Sequence, residues 1–295
     1  MAKKRKDNPA KRATRRYSQA IANVGRAWKR MYETEDHGAA RDGSVAAQDS
    51  EHLAEWCGDK YIDPGGSIVA MIAARMGVAN DHLQGTSHLL LPKDTGIFSV
   101  WATARSFLEM VGTVYWLCEP GIMGEDRLGR VINERLVSLR GSQRFIEKGF
   151  IQEQDIELDP GKRAADVLKR SEAMGYSLTQ TRYGMQVDPE RPSFTDLVDD
   201  LATSGTYSLS AGMSHGEIWA VAHHQQLVEE MDDPSGQDRQ MSKFQVTVRD
   251  YQALANLLVG SMGQAVNRVT DYLGWDDSNF RVALDRALKD TLKSA

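Results

Sequence analysis

Arg105 and Glu109 are the only charged side chains in the stretch Ile97–Cys118, IFSVWATARSFLEMVGTVYWLC. They stand four apart, so on a helix they face the same way, one turn apart. Everything around them is apolar or small, which predicts a helix buried on most of its faces with an ion pair turned inward. A lone buried charge is expensive, so each member needs partners. Two roles are open to such a pair: a preorganised polar centre in which Arg105 binds an anion, or a matched pair that fixes helix register. Asn133, Glu134 and Arg135 could complete the network, with Arg135, on the flank of an apolar stripe, as the expected inward member.

A second group lies in Thr206–His215, TYSLSAGMSH. On a helix Tyr207 and Ser210 share a face, as do Ser210 and Ser214. His215 beside hydroxyls could act as a general base or orient a nucleophile; the alternative is a core histidine donating to a carbonyl. Arg105 and His215 are therefore the candidate catalytic residues. Arg105, Glu109, Asn133, Glu134, Arg135, Tyr207, Ser210 and His215 form the candidate polar or ligand centre. No metal site is expected: His82 and His88 are six apart and His223 and His224 adjacent, whereas two ligands from one helix face need a spacing of three or four. No cofactor is expected either, since neither a GxxxxGK[ST] loop nor a strand-borne GxGxxG is present. Gly65-Gly66 ahead of a helix could hold an anion but already reads as a turn.

The elements that position these residues read as helices. Hydrophobic residues make up 41% and charged residues 26%, the balance of an ordinary globular chain, and only eight prolines interrupt 295 residues. Apolar spacing predicts helices over about 17–33, 50–57, 68–91, 97–118, 124–148, 160–174, 193–203, 217–231, 247–273 and from Asp277 or Ser278 onward. Ser67 reads as the cap of the third helix. Residues 34–49 read as a loose connection, 176–188 as a small β-hairpin, and 232–239 as an exposed loop. The expected architecture is an all-α, irregular, mostly antiparallel helical bundle, formed as one domain over residues 17–295.

Residues 1–16 carry eight basic side chains and one acidic, which leaves the remainder strongly acidic within a net charge of −5. They read as a disordered basic tail that either solubilises the chain or contacts nucleic acid. Cys57 and Cys118 cannot make a disulfide framework. The basic start has no apolar segment after it, so it is not a secretory signal. The 97–118 run reaches spanning length, but a charged pair at its middle is costly in lipid. The expectation is a soluble cytoplasmic protein without a membrane partner, compatible with a homodimer.

Three segments carry a resemblance: ANDHLQGTSHLLL, ATARSFLEMVGTVYWLCEPGIMGEDRLGRVINERLVSL and YSLSAGMSHG. They resemble a family of uncharacterised all-helical actinobacterial proteins, distantly similar to HEPN-like helical domains and abortive-infection proteins. The pattern is an Arg-x-x-x-Glu helix (Arg105, Glu109), an Asn-Glu-Arg helix (Asn133, Glu134, Arg135) and a Tyr/Ser/His-Gly segment (Tyr207, Ser210, His215). The resemblance covers about a quarter of the chain and implies a fold more than an activity. It suggests two readings: a binding or regulatory module around the polar centre, or an HEPN-like ribonuclease or toxin of phage defence. HEPN ribonucleases use Arg-x(4–6)-His, the Arg holding phosphate and the His handling the ribose proton. Arg30/His37 and Arg75/His82 have that spacing, but chance alone delivers about as many matches. Arg105 with His215, distant in sequence, is the better candidate pair.

Overall fold

In the computed structural model the chain is all-α with two small hairpins. The structure describes residues 8–91, 97–149, 159–182, 184–202, 206–215, 225–231, 239–244 and 247–293. In chain order the elements are α1 (Pro9–Thr34), α2 (Val45–Cys57), α3 (Pro64–Leu89), α4 (Ile97–Leu117), α5 (Gly124–Glu147), α6 (Pro160–Ala173), β1 (Leu178–Thr181), β2 (Gly184–Val187), α7 (Phe194–Leu201), α8 (Thr206–His215), β3 (Gln225–Met231), β4 (Arg239–Phe244), α9 (Val248–Leu273) and α10 (Ser278–Leu292). Single 3-10 turns at Asp36–Gly38 and Gly58–Lys60 flank α2.

The helix starts follow from local chemistry. The first backbone N–H groups of a helix have no partner inside it, and a short polar side chain just ahead of it supplies one. Asn8 Oδ1 accepts from the Ala10 N–H, Ser44 Oγ from Ala47, Asp63 Oδ1 from Gly66 and Asp159 Oδ1 from Gly161, at 2.8–3.2 Å. Three of these caps precede a proline, whose missing N–H costs nothing in the first turn. Ser193 with Asp196 and Thr247 with Asp250 form reciprocal capping boxes on α7 and α9. α9 stops where Gly274 takes φ +74°, a backbone open to glycine at little cost.

α4 lies at the centre. Val100, Ala104, Phe107, Leu108, Val111, Val114 and Leu117 are buried along it, and it packs against α3, α7, α8 and α9. Contacts running in opposite senses show that the neighbours are antiparallel. Arg75 meets Met110 while Gly85 faces Thr103, which reverses α3 against α4. Ser18 reaches Ser87 at 3.2 Å while Gly25 abuts Asn80 and Gln84, which reverses α1 against α3. A Cβ on Gly25 would lie 2.1 Å from Gln84 Nε2 and 2.6 Å from Asn80 Oδ1, so it would displace these two side-chain amides. Gln252 bonds to Thr291 while Gly263 faces Leu284, reversing α9 against α10. α1 packs on α3, α9 and α10, so the first and last described helices are neighbours.

β1 and β2 pair antiparallel from Leu178↔Val187 to Thr181↔Gly184, the small hairpin expected within 176–188. Four expectations are corrected. α1 begins at Pro9, so residues 9–16 are helix and not tail; Ala13, Thr14 and Tyr17 are buried, and Arg16 donates to the carbonyls of Asp290 (2.9 Å) and Lys293 at the end of α10. Small buried residues among dense charges carry no hydropathic signal, and the cation of Arg16 finds the carbonyls at the end of α10. Residues 1–7 lie outside the described residues. Residues 225–231 are strand β3, paired with β4, and not part of a 217–231 helix; residues 217–224 lie outside the described residues, as do 232–238 of the expected loop. Gln, Glu, Leu and Met in β3 favour helix locally, and pairing with β4 overrides that preference. The third helix is capped by Asp63, not Ser67. The connection at 34–49 is partly helical, with a 3-10 turn and an α2 that starts at Val45.

Among the described residues no helix is long and apolar enough to cross a membrane. The largest fully buried side chain is a cation, Arg127. Its Nη1 donates to Asp49 Oδ2 at 2.6 Å, Nε to the Leu117 carbonyl at 2.9 Å and Nη2 to the Glu119 carbonyl at 2.8 Å. Its guanidinium lies over the Tyr272 ring at 4.4 Å, and the Tyr272 hydroxyl donates to Asp49 at 3.1 Å. One side chain thus ties α2, the end of α4, α5 and α9. Arg127→Met leaves Asp49 buried without its cation and is expected to cost about 3–5 kcal/mol in urea unfolding, with part recovered in the Arg127→Met/Asp49→Asn double variant. A loss below about 1 kcal/mol would mean that water reaches this pair.

Candidate functional site

The ion pair read from the sequence sits where α4 meets α8. α4 carries Arg105 and Glu109 on the side that packs against α8, and the antiparallel course of α8 sets Tyr207 beside Glu109 and His215 beside Arg105. Arg105 Nε donates to Glu109 Oε1 at 2.8 Å. The Tyr207 hydroxyl donates to the same oxygen at 2.8 Å, and Arg105 stands 5.7 Å from the centre of the Tyr207 ring. Arg105 Nη1 is in hydrogen-bond contact with His215 Nε2. A guanidinium only donates, so Nε2 accepts and the ring proton belongs on Nδ1.

The pair is half-buried rather than sealed: the Arg105 and Glu109 side chains keep 24% and 17% exposure. Burial lowers the proton affinity of Arg105, but the bond and charge of Glu109 outweigh it, and the net shift is upward. Burial, then the hydrogen bond to Glu109, pushes the Tyr207 hydroxyl up to about 12. Ser210, fully buried, donates to the Tyr207 carbonyl at 2.9 Å, and Ser214 to the Ser210 carbonyl at 2.6 Å. Both hydroxyls serve the helix backbone and are not presented as nucleophiles.

Asn133, Glu134 and Arg135 do not join this group, and the expected inward member is corrected. Glu134, not Arg135, is the buried charge, at 1% exposure. Its two oxygens take Arg75 of α3 and Arg191 of the segment after β2. Asn133 Nδ2 donates to the carbonyls of Val187 (2.8 Å) and Pro189 (2.9 Å), and its Oδ1 accepts from the Val187 N–H at 2.9 Å. The hairpin is thereby stitched to α5. Arg135 is half-buried and lines a separate groove with Tyr61, Arg163 and Arg170. The physical reason is that α5 enters the core end-on: Arg127 through Glu134 are all buried, so an apolar stripe does not define its inside. Arg75 Nη1 also reaches Met110 Sδ at 3.4 Å, one residue along α4 from Glu109.

Asp49, Arg127, Arg191 and Tyr272 were not singled out by sequence, and Arg75 only as half of an Arg-x6-His spacing. For Arg127 the available signal was a charge inside a helix with apolar neighbours, as at Arg127-Leu128. Of the two Arg-x6-His pairs, Arg75 bonds to Glu134 and Met110, and His37 takes φ +55° and meets the Tyr32 ring edge-on at 5.8 Å. Among the described residues no group of three or more His, Cys, Asp or Glu is placed to hold a metal ion. Cys57 and Cys118 are free and buried, and burial pushes the Cys118 thiol up to about 12. No protein-family model matches the chain, and neither a curated protein nor a solved structure matches it.

The Tyr207 shift has a direction that can be checked. Its pKa rises from 10.0 to about 12 on folding, so the unfolded chain releases this proton first. Its contribution to stability is complete below pH 10 and is lost as pH rises towards 12. At about pH 11 the wild type and Tyr207→Phe are expected to show the same tyrosinate absorbance, because the folded phenol still holds its proton. One extra tyrosinate in the wild type would mean that Tyr207 faces water.

Proposed function

We propose that this protein is a binding or regulatory helical module whose ligand or partner meets the α4–α8 centre through Arg105. The observation that carries this reading is the way the guanidinium is held. Glu109 fixes its Nε edge, while its Nη1 edge meets the exposed His215 at the end of α8. A cation fixed on one side and half-open on the other is oriented in advance for an anionic group. The same contact argues against a nucleophilic or base role in this state. His215 Nε2 is occupied by a donor, and among the described residues nothing bonds to Nδ1 to orient the ring. Glu109 already accepts two hydrogen bonds on one oxygen.

The second reading is an HEPN-like ribonuclease or toxin of phage defence. What favours it is the meeting of Arg105 with His215, the pair of residue types that the sequence resemblance assigns to phosphate holding and proton transfer. In that reading a phosphodiester would displace His215 from Arg105 and free the ring nitrogen. The exposed Lys11, Arg12 and Arg15 at the start of α1 support a contact with nucleic acid from the basic segment 1–16. A homodimer in the cytoplasm suits both readings.

Expression of the wild type beside His215→Ala and Arg105→Ala separates them, with growth and total RNA integrity as readouts. The binding reading expects unimpaired growth and intact RNA in all three. RNA loss in the wild type that disappears in His215→Ala would replace it with the nuclease.

A further inference from the structure

The sequence reading placed Arg135 in the core, and its observed position exposes a different feature. Arg135 of α5, Tyr61 beyond the 3-10 turn after α2, and Arg163, Asp166, Val167 and Arg170 of α6 line one small groove of about 80 Å³. The four α6 residues follow the spacing i, i+3, i+4, i+7, so they share one face of that helix. Val167 packs that face against the core, which holds the flanking guanidinium stems toward α5.

The lack of an acceptor makes this groove an exception. Among the described residues the buried or half-buried arginines elsewhere each hold one: 75, 105, 127, 130 and 191 a carboxylate, 16 and 140 a backbone carbonyl, and 268 the Tyr115 hydroxyl. Among the described residues, no ion pair or hydrogen bond forms to the guanidinium of Arg135, Arg163 or Arg170. Asp166 is the one carboxylate in the lining and makes no ion pair there, so the groove carries a net charge of about +2. The chain as a whole has a net charge of −5, so this concentration of cations does not follow from bulk composition. Three cationic side chains lining one groove favour an anion there. Each offers a planar fork of donors that matches a tetrahedral oxyanion two oxygens at a time.

We propose that the α5–α6 groove is a binding site for a phosphate group, held by Arg135, Arg163 and Arg170 with Tyr61 at its edge. The volume sets the size of what enters. It suits a group the size of one phosphate, and the Tyr61 ring in the lining offers a stacking surface to a larger ligand. The site shares no residue with the Arg105 centre, so its ligand is independent of that reading.

The test is calorimetric titration of the full chain at a fixed ionic strength of about 0.15 M, with inorganic phosphate, adenosine 5′-monophosphate and unphosphorylated adenosine. Both phosphates are expected to saturate the protein and adenosine is not. Equal affinity for the two identifies phosphate itself as the ligand, and tenfold tighter binding of the monophosphate identifies a nucleotide; either supports the site. Arg163→Gln/Arg170→Gln, both exposed positions, is expected to weaken binding at least tenfold without moving the melting temperature. Arg163→Lys keeps the charge and loses the fork, and is expected to weaken it too. Arg249→Gln, an exposed position outside both sites, is expected to leave the titration unchanged. Absence of binding up to about 10 mM, wild-type affinity in the double variant, or loss of binding in Arg249→Gln would each overturn the assignment.

Discussion

Everything in this bundle depends on matching the charges that α5 carries into the core. Arg127 and Glu134 lie seven residues apart on that helix, both at 1% exposure and opposite in sign. Neither can be left alone, because desolvating an ion without a partner costs more than a single helix packing returns. Their partners come from all over the chain. Asp49 and Tyr272 meet the cation from α2 and α9, and Arg75 and Arg191 meet the anion from α3 and from the segment after the hairpin. A greasy core of the same volume could be as stable, but it would tolerate sliding. A core with two matched charges penalises each register in which a guanidinium or carboxylate loses its partner.

The same constraint reaches the α4–α8 centre. Arg127 and Arg130 both bond to the last carbonyls of α4, those of Trp116, Leu117 and Glu119, which fixes where that helix ends and how it is rotated. Arg75 bridges from Glu134 to Met110 on the same helix. With its end and middle pinned, α4 presents Arg105 and Glu109 to α8 and to no other helix. The half-buried pair is therefore located by fully buried ones, and its own exposure leaves it the freedom to change partners.

Much of this architecture can be read from sequence because the cues are local. Asp159-Pro160, Ser193 and Gly274 mark helix ends within a residue or two, since each acts on the backbone beside it, whereas Asp63-Pro64 reads as a turn and moves the expected cap to Ser67. The apolar run of α4 reveals a central helix because large apolar side chains cover most of its faces and leave Arg105 and Glu109 as its only charges. Arg105 and Glu109 were legible as a pair for the same reason, and Tyr207 and His215 as a neighbouring group by helical spacing. The interior of α5 was not. From Arg127 to Glu134 each residue is buried, so polarity no longer reports which side faces inward, and the partners that make burial tolerable lie 59 and 57 residues away for Glu134 and 78 for Arg127. β3 and β4 failed to register for a related reason: their pairing is the stabilising contact, and neither strand carries it alone.

The seam between α4 and α8 joins two helices of unequal strength. Arg105 lies well inside a helix of 21 residues that is packed on several sides, whereas His215 is the last residue of one of ten. Terminal turns fray at little free-energy cost, while the middle of a core helix opens only with the whole domain. The imidazole can thus swing off the guanidinium when a single turn unwinds, leaving Arg105, Glu109 and Tyr207 as they were. The centre is built like a latch on a fixed post, in which opening is a local event and the post keeps its aim.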